Sequence, residues 1–116
     1  MSPTPHPLPA LLAAIDEVVT SWPDVRAKNV FGHRGWIRSG KMLGFIAAGG
    51  VSVKALSPQH ADALYALPGV RPFVYNGEME MTGWPVLPVA TDSDVSATLS
   101  QLQSVYDALG QTSDER

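Results

Sequence analysis

The chain of 116 residues contains no cysteine. That excludes disulfides, thiolate nucleophiles and zinc–thiolate clusters, and it leaves packing alone to hold the fold. A reducing cytoplasm is the setting this implies. Charge is scarce as well: 16% of residues are charged and 45% are apolar, against roughly 25% charged in an ordinary globular chain. The balance excludes disorder and points to surface covered by a partner, most simply a second copy. Long apolar runs are missing too. The longest, Met42 to Val51, is broken by glycines and falls short of the roughly 20 residues a membrane helix needs. The first nine residues hold four prolines and no basic start before an apolar stretch, so residues 1–9 read as a flexible lead and not as a signal peptide.

One segment lacks charge of one sign. Residues 25–55 carry Arg26, Lys28, Arg34, Arg38, Lys41 and Lys54 with no acid, whereas residues 78–116 carry seven acids against Arg116, within a net charge of −3. Such segregation marks where an anion docks or which surfaces meet in an assembly.

The length fits one domain with one core. Ala10 to Trp22 sets Leu11, Ile15, Val18, Val19 and Trp22 on one helical stripe, which predicts a first helix. Residues 25–56 turn to short runs of β-branched and aromatic residues separated at Gly32 to Gly35, Ser39-Gly40 and Gly49-Gly50, a four-stranded antiparallel meander. Ser57-Pro58 is a helix start, with serine as cap and proline at the first helical position, and the helix closes at Pro68-Gly69. Val70 to Tyr75 reads as a strand that Pro72 confines to a sheet edge or a strand start. Met79 to Leu87 is extended, with interruptions at Gly83 and Pro85. A final helix starts at Thr91 or Asp92, carries the stripe Val95, Leu99, Leu102, Tyr106 and Leu109, and stops at Gly110. The domain is therefore expected over residues 10–110, with 111–116 as a frayed tail.

Phe31-Gly32, Gly35-Trp36, the run Gly40-Lys41-Met42-Leu43-Gly44-Phe45-Ile46, Val51-Ser52-Val53-Lys54, Pro72-Phe73-Val74-Tyr75, Trp84 and Leu87-Pro88 resemble the TfoX N-terminal-like family in order and spacing. The resemblance covers about residues 10–110. It implies an α+β fold of two layers, an antiparallel meander sheet with helices on one face related to secretion-chaperone-like folds, and dimers in which helices are shared. It also implies a link to regulation of natural competence, through members that carry a further C-terminal domain absent from this chain. His33 stands where the family usually has a second glycine. No catalytic residue carries over.

The hairpins can be threaded. A two-residue Ser39-Gly40 turn pairs Arg38 with Lys41, Ile37 with Met42, Trp36 with Leu43, Gly35 with Gly44 and Arg34 with Phe45. A Gly49-Gly50 turn pairs Ala48 with Val51, Ile46 with Val53 and Phe45 with Lys54. Paired residues share a face. One face then holds Ile37, Met42, Ile46, Val51, Val53 and small residues, a surface for helices. The other holds Arg34, Trp36, Arg38, Lys41, Leu43, Phe45 and Lys54, an aromatic-basic face with three readings in order of preference. It is a subunit interface with aromatic centre and charged rim, a surface for a small molecule or anion, or a nucleic-acid surface.

Other constellations have plainer readings. Gly32-His33-Arg34-Gly35 is a tight turn and not a KH-type clamp, because it does not join two helices. His6, His33 and His60 lack metal-ligand spacing. Ser57 with His60 is a helix cap before it is a nucleophile and base. Glu78 with Glu80, and Asp92 with Asp94, are solvating or dipole-favouring pairs. Met79, Met81 and Trp84 could line a small pocket or close a core. No nucleophile with a base, metal set or phosphate loop is visible, so no cofactor is expected. The expectation is a non-enzymatic, homodimeric, cytoplasmic regulatory or protein-interaction module. Nucleic-acid binding is at most weak, and no membrane is involved.

Overall fold

The computed structural model describes residues 10–114, with side-chain burial described through residue 109; the proline lead lies outside the described residues. The chain folds as α1 (Ala10–Thr20), β1 (Val25–Val30), β2 (His33–Arg38), β3 (Lys41–Ala47), β4 (Gly50–Val53), α2 (Pro58–Tyr65), β5 (Arg71–Tyr75), β6 (Met79–Pro88) and α3 (Asp92–Asp114). This is the expected α+β class. The four-stranded meander forms, and β6 and β5 extend it into one antiparallel sheet of six strands in the order β1-β2-β3-β4-β6-β5. The sheet does not close. No helix among the described residues is long and apolar enough to cross a membrane.

Local chemistry sets the boundaries. Ser57 caps α2, its hydroxyl accepting the His60 N–H at 3.0 Å, with Pro58 in the first turn. Thr91 and Asp94 cap α3 reciprocally: the Asp94 N–H donates to the Thr91 hydroxyl, and the Asp94 carboxylate accepts from the Ala90 and Thr91 N–H groups. The hairpin turns Phe31-Gly32 and Ser39-Gly40 have positive φ at both central residues, the mirror-image turn whose twist matches that of the strands. Pro72 lies in β5, the edge strand, as its missing donor requires. Gly110 does not stop α3, which runs to Asp114; a glycine costs an α-helix only about 1 kcal/mol, less than packing along the preceding stripe supplies. On α1 the inward residues are Leu12, Ile15 and Val19, while Val18 is 39% exposed.

The register departs from simple threading at two places, and the first decides which side chains meet. Arg38 pairs with Lys41 and Ile37 with Met42, but Trp36 pairs with Gly44 and Gly35 with Phe45, because β3 has an irregularity there. Leu43 is the extra residue of a bulge, so two residues of β3 oppose one of β2. The β3–β4 turn is Ala48-Gly49, which sets Ile46 opposite Val51 and Phe45 opposite Ser52; this slip of two residues leaves the faces unchanged.

Trp36 and Leu43 therefore turn toward the helices. Both are fully buried in one core with Leu12, Ile15 and Val19 of α1 and Leu102, Val105 and Leu109 of α3. A second cluster of Val30, Phe45, Ala47, Phe73 and Val86, flanked by Phe31, Met42, Met81 and Trp84, occupies the opposite face. Gly44 makes the first core fit, since a Cβ there would strike the Ser52 carbonyl oxygen and lie 3.2 Å from Leu102 Cδ2.

Gly44→Ala is expected to lower unfolding free energy by about 1–3 kcal/mol, the range for overpacking, in a chemical denaturation curve. A neutral result would show that β3 and β4 are further apart than described.

Candidate functional site

The threaded aromatic-basic face is not one face. Arg34, Trp36, Arg38 and Leu43 belong to the helix side, and each has a structural task there. Asp16 of α1 accepts from Arg34 Nε at 2.7 Å and from Trp36 Nε1 at 2.9 Å. Arg38 donates to the Tyr106 carbonyl, and its guanidinium lies 4.0 Å from the centroid of the Tyr106 ring. Lys41, paired with Arg38, is exposed at the β2–β3 turn. The bulge at Leu43 is the physical reason for the correction: one extra residue reverses which face Trp36 and Leu43 share. Buried beneath the protein's own helices, Trp36 cannot anchor a partner.

Phe45 and Lys54 stay on the helix-free face, where they meet part of the separately predicted pocket. Lys54 Nζ stands 5.8 Å from the Trp84 ring centroid, and the Phe45 and Trp84 rings are 5.3 Å apart. Met81 flanks the same cluster, and Met79 sits at its edge, 59% exposed. Trp84 reaches this position because β6 bulges. Pro72 pairs with Pro85 but Phe73 pairs with Met81, so Thr82, Gly83 and Trp84 lack partners on β5. Ala55 N–H and the Tyr65 hydroxyl donate to the Gly83 and Thr82 carbonyls at 3.1 and 2.9 Å. Burial, then the charge of Glu80, raises the Tyr65 pKa, which keeps the hydroxyl a neutral donor.

Four rings join that simple threading does not reach: Phe31, His33, Phe73 and Tyr75. Phe31, at the β1–β2 turn, stacks on Phe73 with centroids 5.8 Å apart and touches Tyr75 at 5.5 Å. His33 stacks on Phe45 at 6.0 Å. These contacts join residues near the two edge strands, so the coiled sheet brings two corners together over its own centre. Phe31 does this at φ 52, a left-handed backbone that is uncommon for a bulky residue. The Phe31-Gly32 hairpin is legible and pairs Val30 with His33, but His33 comes to the Phe45 face only through the bulge at Leu43.

A single row of partners crosses all six strands on this face: Lys28, Gly35, Phe45, Ser52, Val86 and Arg71. It has a cation at each end and an aromatic ring inside. In the next row Arg26 pairs with Ile37. Arg26, Lys28, Lys54 and Arg71 make no ion pair among the described residues, where the salt bridge formed is Arg34 with Asp16. Strand acids are elsewhere: Glu80 pairs with Val74 on the side that faces Tyr65 of α2. Under the rings, Ser52 is fully buried and its hydroxyl has no hydrogen-bond partner among the described residues.

The remaining candidates have local roles. His60 Nδ1 accepts the Leu56 N–H at 2.9 Å, and Ser57 is the helix cap, so the two act at the start of α2. Gly32-His33 is part of a hairpin. No protein-family model and no curated protein matches the chain.

Ser52→Ala is expected to leave stability unchanged or to raise it by about 1 kcal/mol, because it removes a buried hydroxyl that has no partner. Thermal unfolding checks this; a loss above 1 kcal/mol would mean the hydroxyl is bonded.

Proposed function

We propose that the chain is a non-catalytic regulatory binding module of the kind its resemblance to the TfoX N-terminal-like family implies, and that the helix-free face of the sheet is its working surface. The observation that carries this reading is the six-strand row with Lys28 and Arg71 at its ends and Phe45 within it. The other face is filled by helices, while this one ends in half-buried and exposed rings. Cations fringe those rings, and its strands offer no carboxylate to neutralise them. Such a surface favours an anionic partner that also presents apolar area. The low charged fraction supports a homodimer, and the absence of cysteine supports a reducing cytoplasm.

Titration with a sulfated heparin octasaccharide, followed by amide chemical shifts, tests the surface. Shifts should concentrate on β1, on Lys54 and on the β5–β6 hairpin and should shrink as salt rises. Shifts confined to α1, α2 or α3 would remove the reading. Light scattering at micromolar concentration should give twice the 12.4 kDa chain mass; the monomer mass throughout would remove the dimer.

A further inference from the structure

Resting on that reading of the helix-free face, we infer that its partner is a single-stranded polynucleotide, with bases stacked on the partly exposed rings and phosphates on the surrounding cations. A nucleotide chain repeats two elements, a flat apolar ring and a negative charge. The face offers both in like number. Phe31, His33 and Trp84 are half-buried and Tyr75 is 37% exposed, so each keeps area for contact above a fully buried Phe45. Arg26, Lys28 and Arg71 are exposed and Lys54 half-buried, on the same side of the sheet as the rings.

The alternatives fit less of the surface. An acidic peptide would meet the cations and leave the rings without partners. A duplex hides its base faces in the stack and would offer only phosphates. A small anion would not span a row that begins at Lys28 on one edge strand and ends at Arg71 on the other. Stacking tolerates any base because each has a π face, so binding should be sequence-indifferent. Simple threading groups Lys54 with Arg34, Arg38 and Lys41, but Arg34 and Arg38 are engaged by Asp16 and Tyr106 on the helix side and only Lys54 of these stays beside Phe45. The set on the helix-free face is Arg26, Lys28, Lys54 and Arg71; it makes no ion pairs among the described residues, and Arg71 also donates to the Ala48 carbonyl at 3.1 Å.

Four cations set the expected strength. A single strand loses about 0.7 in logarithmic slope per phosphate neutralised, so the slope of log affinity against log salt should be about −3, roughly a fifty-fold loss for a fourfold rise in salt. The test is fluorescence anisotropy of the full chain with labelled oligo(dT) and oligo(U), read together with quenching of tryptophan emission. Binding in the micromolar range at low salt with that slope is expected. Lys28→Gln with Lys54→Gln should weaken it and flatten the slope by about 1.4. Tyr75→Ala, at an exposed position, should cost about ten-fold without changing the slope. Lys41→Gln, on the helix side, should do nothing.

Absence of binding to both oligomers at low salt would overturn the inference, as would affinity that ignores the Lys28 and Lys54 changes in protein shown by circular dichroism to be folded. Equal displacement by poly-glutamate would also overturn it. If the heparin shifts on the same face persist in any of these cases, the binding-surface reading survives and the polynucleotide does not. If they vanish too, both fall.

Discussion

Trp36 is buried because the residue opposite it is a glycine. At a regular register the indole would oppose Leu43 and share the helix-free face with Phe45. The bulge turns Leu43 with Trp36 toward the helices, brings Gly44 opposite the indole and lets the Ser52 carbonyl of β4 approach closely. Asp16 then holds the indole N–H and Arg34 together. A hydrogen bond to a charged acceptor contributes on the order of 1.5–3 kcal/mol, whereas the Asp16–Arg34 ion pair, with Arg34 about half exposed, adds little once solvent screens it. Apolar burial of Trp36 is the larger effect, and the carboxylate fixes its direction.

The same bulge separates two kinds of arginine. With β2 turned so that Arg34, Trp36 and Arg38 face the helices, two of the six cations in residues 25–55 are engaged by Asp16 and by Tyr106. Arg26, Lys28 and Lys54 are left on the helix-free side, where Arg71 joins them from the far edge. The charge segregation in the sequence is real, but it is divided between holding the fold and facing outward. The aromatic residues divide in the same way: Trp22 and Tyr106 pack together at 5.0 Å on the helix side, while Phe31, Phe45, Phe73 and Trp84 meet on the other.

Much of the fold was legible because its signals are local. Ser57-Pro58 marks a helix start by the chemistry of a cap, Ser39-Gly40 marks a hairpin by backbone conformation, and Pro72 marks an edge by its missing donor. The faces of the sheet were not legible, because a bulge has no strong local signature: Leu43 looks like any strand leucine, and its role depends on Trp36 finding Gly44. The coiling of the open sheet over Phe45 was hidden for a similar reason, since Phe31 and Tyr75 are 44 positions apart and meet only through the coil of the whole sheet. Phe45 with Lys54, and Met81 with Trp84, are legible as two separate groups, but their meeting, and their neighbours Phe73, Arg26, Lys28 and Arg71, follow only from the pairing of all six strands.

The sidedness of the sheet is what the functional reading depends on, and it follows from the register at Trp36. Cross-strand nuclear Overhauser contacts read that register directly. Contacts of the Trp36 backbone with Gly44, together with an indole N–H slow to exchange with solvent, are the expected result. Contacts with Leu43 instead, and an indole that exchanges freely, would place Trp36 on the outer face and contradict the account.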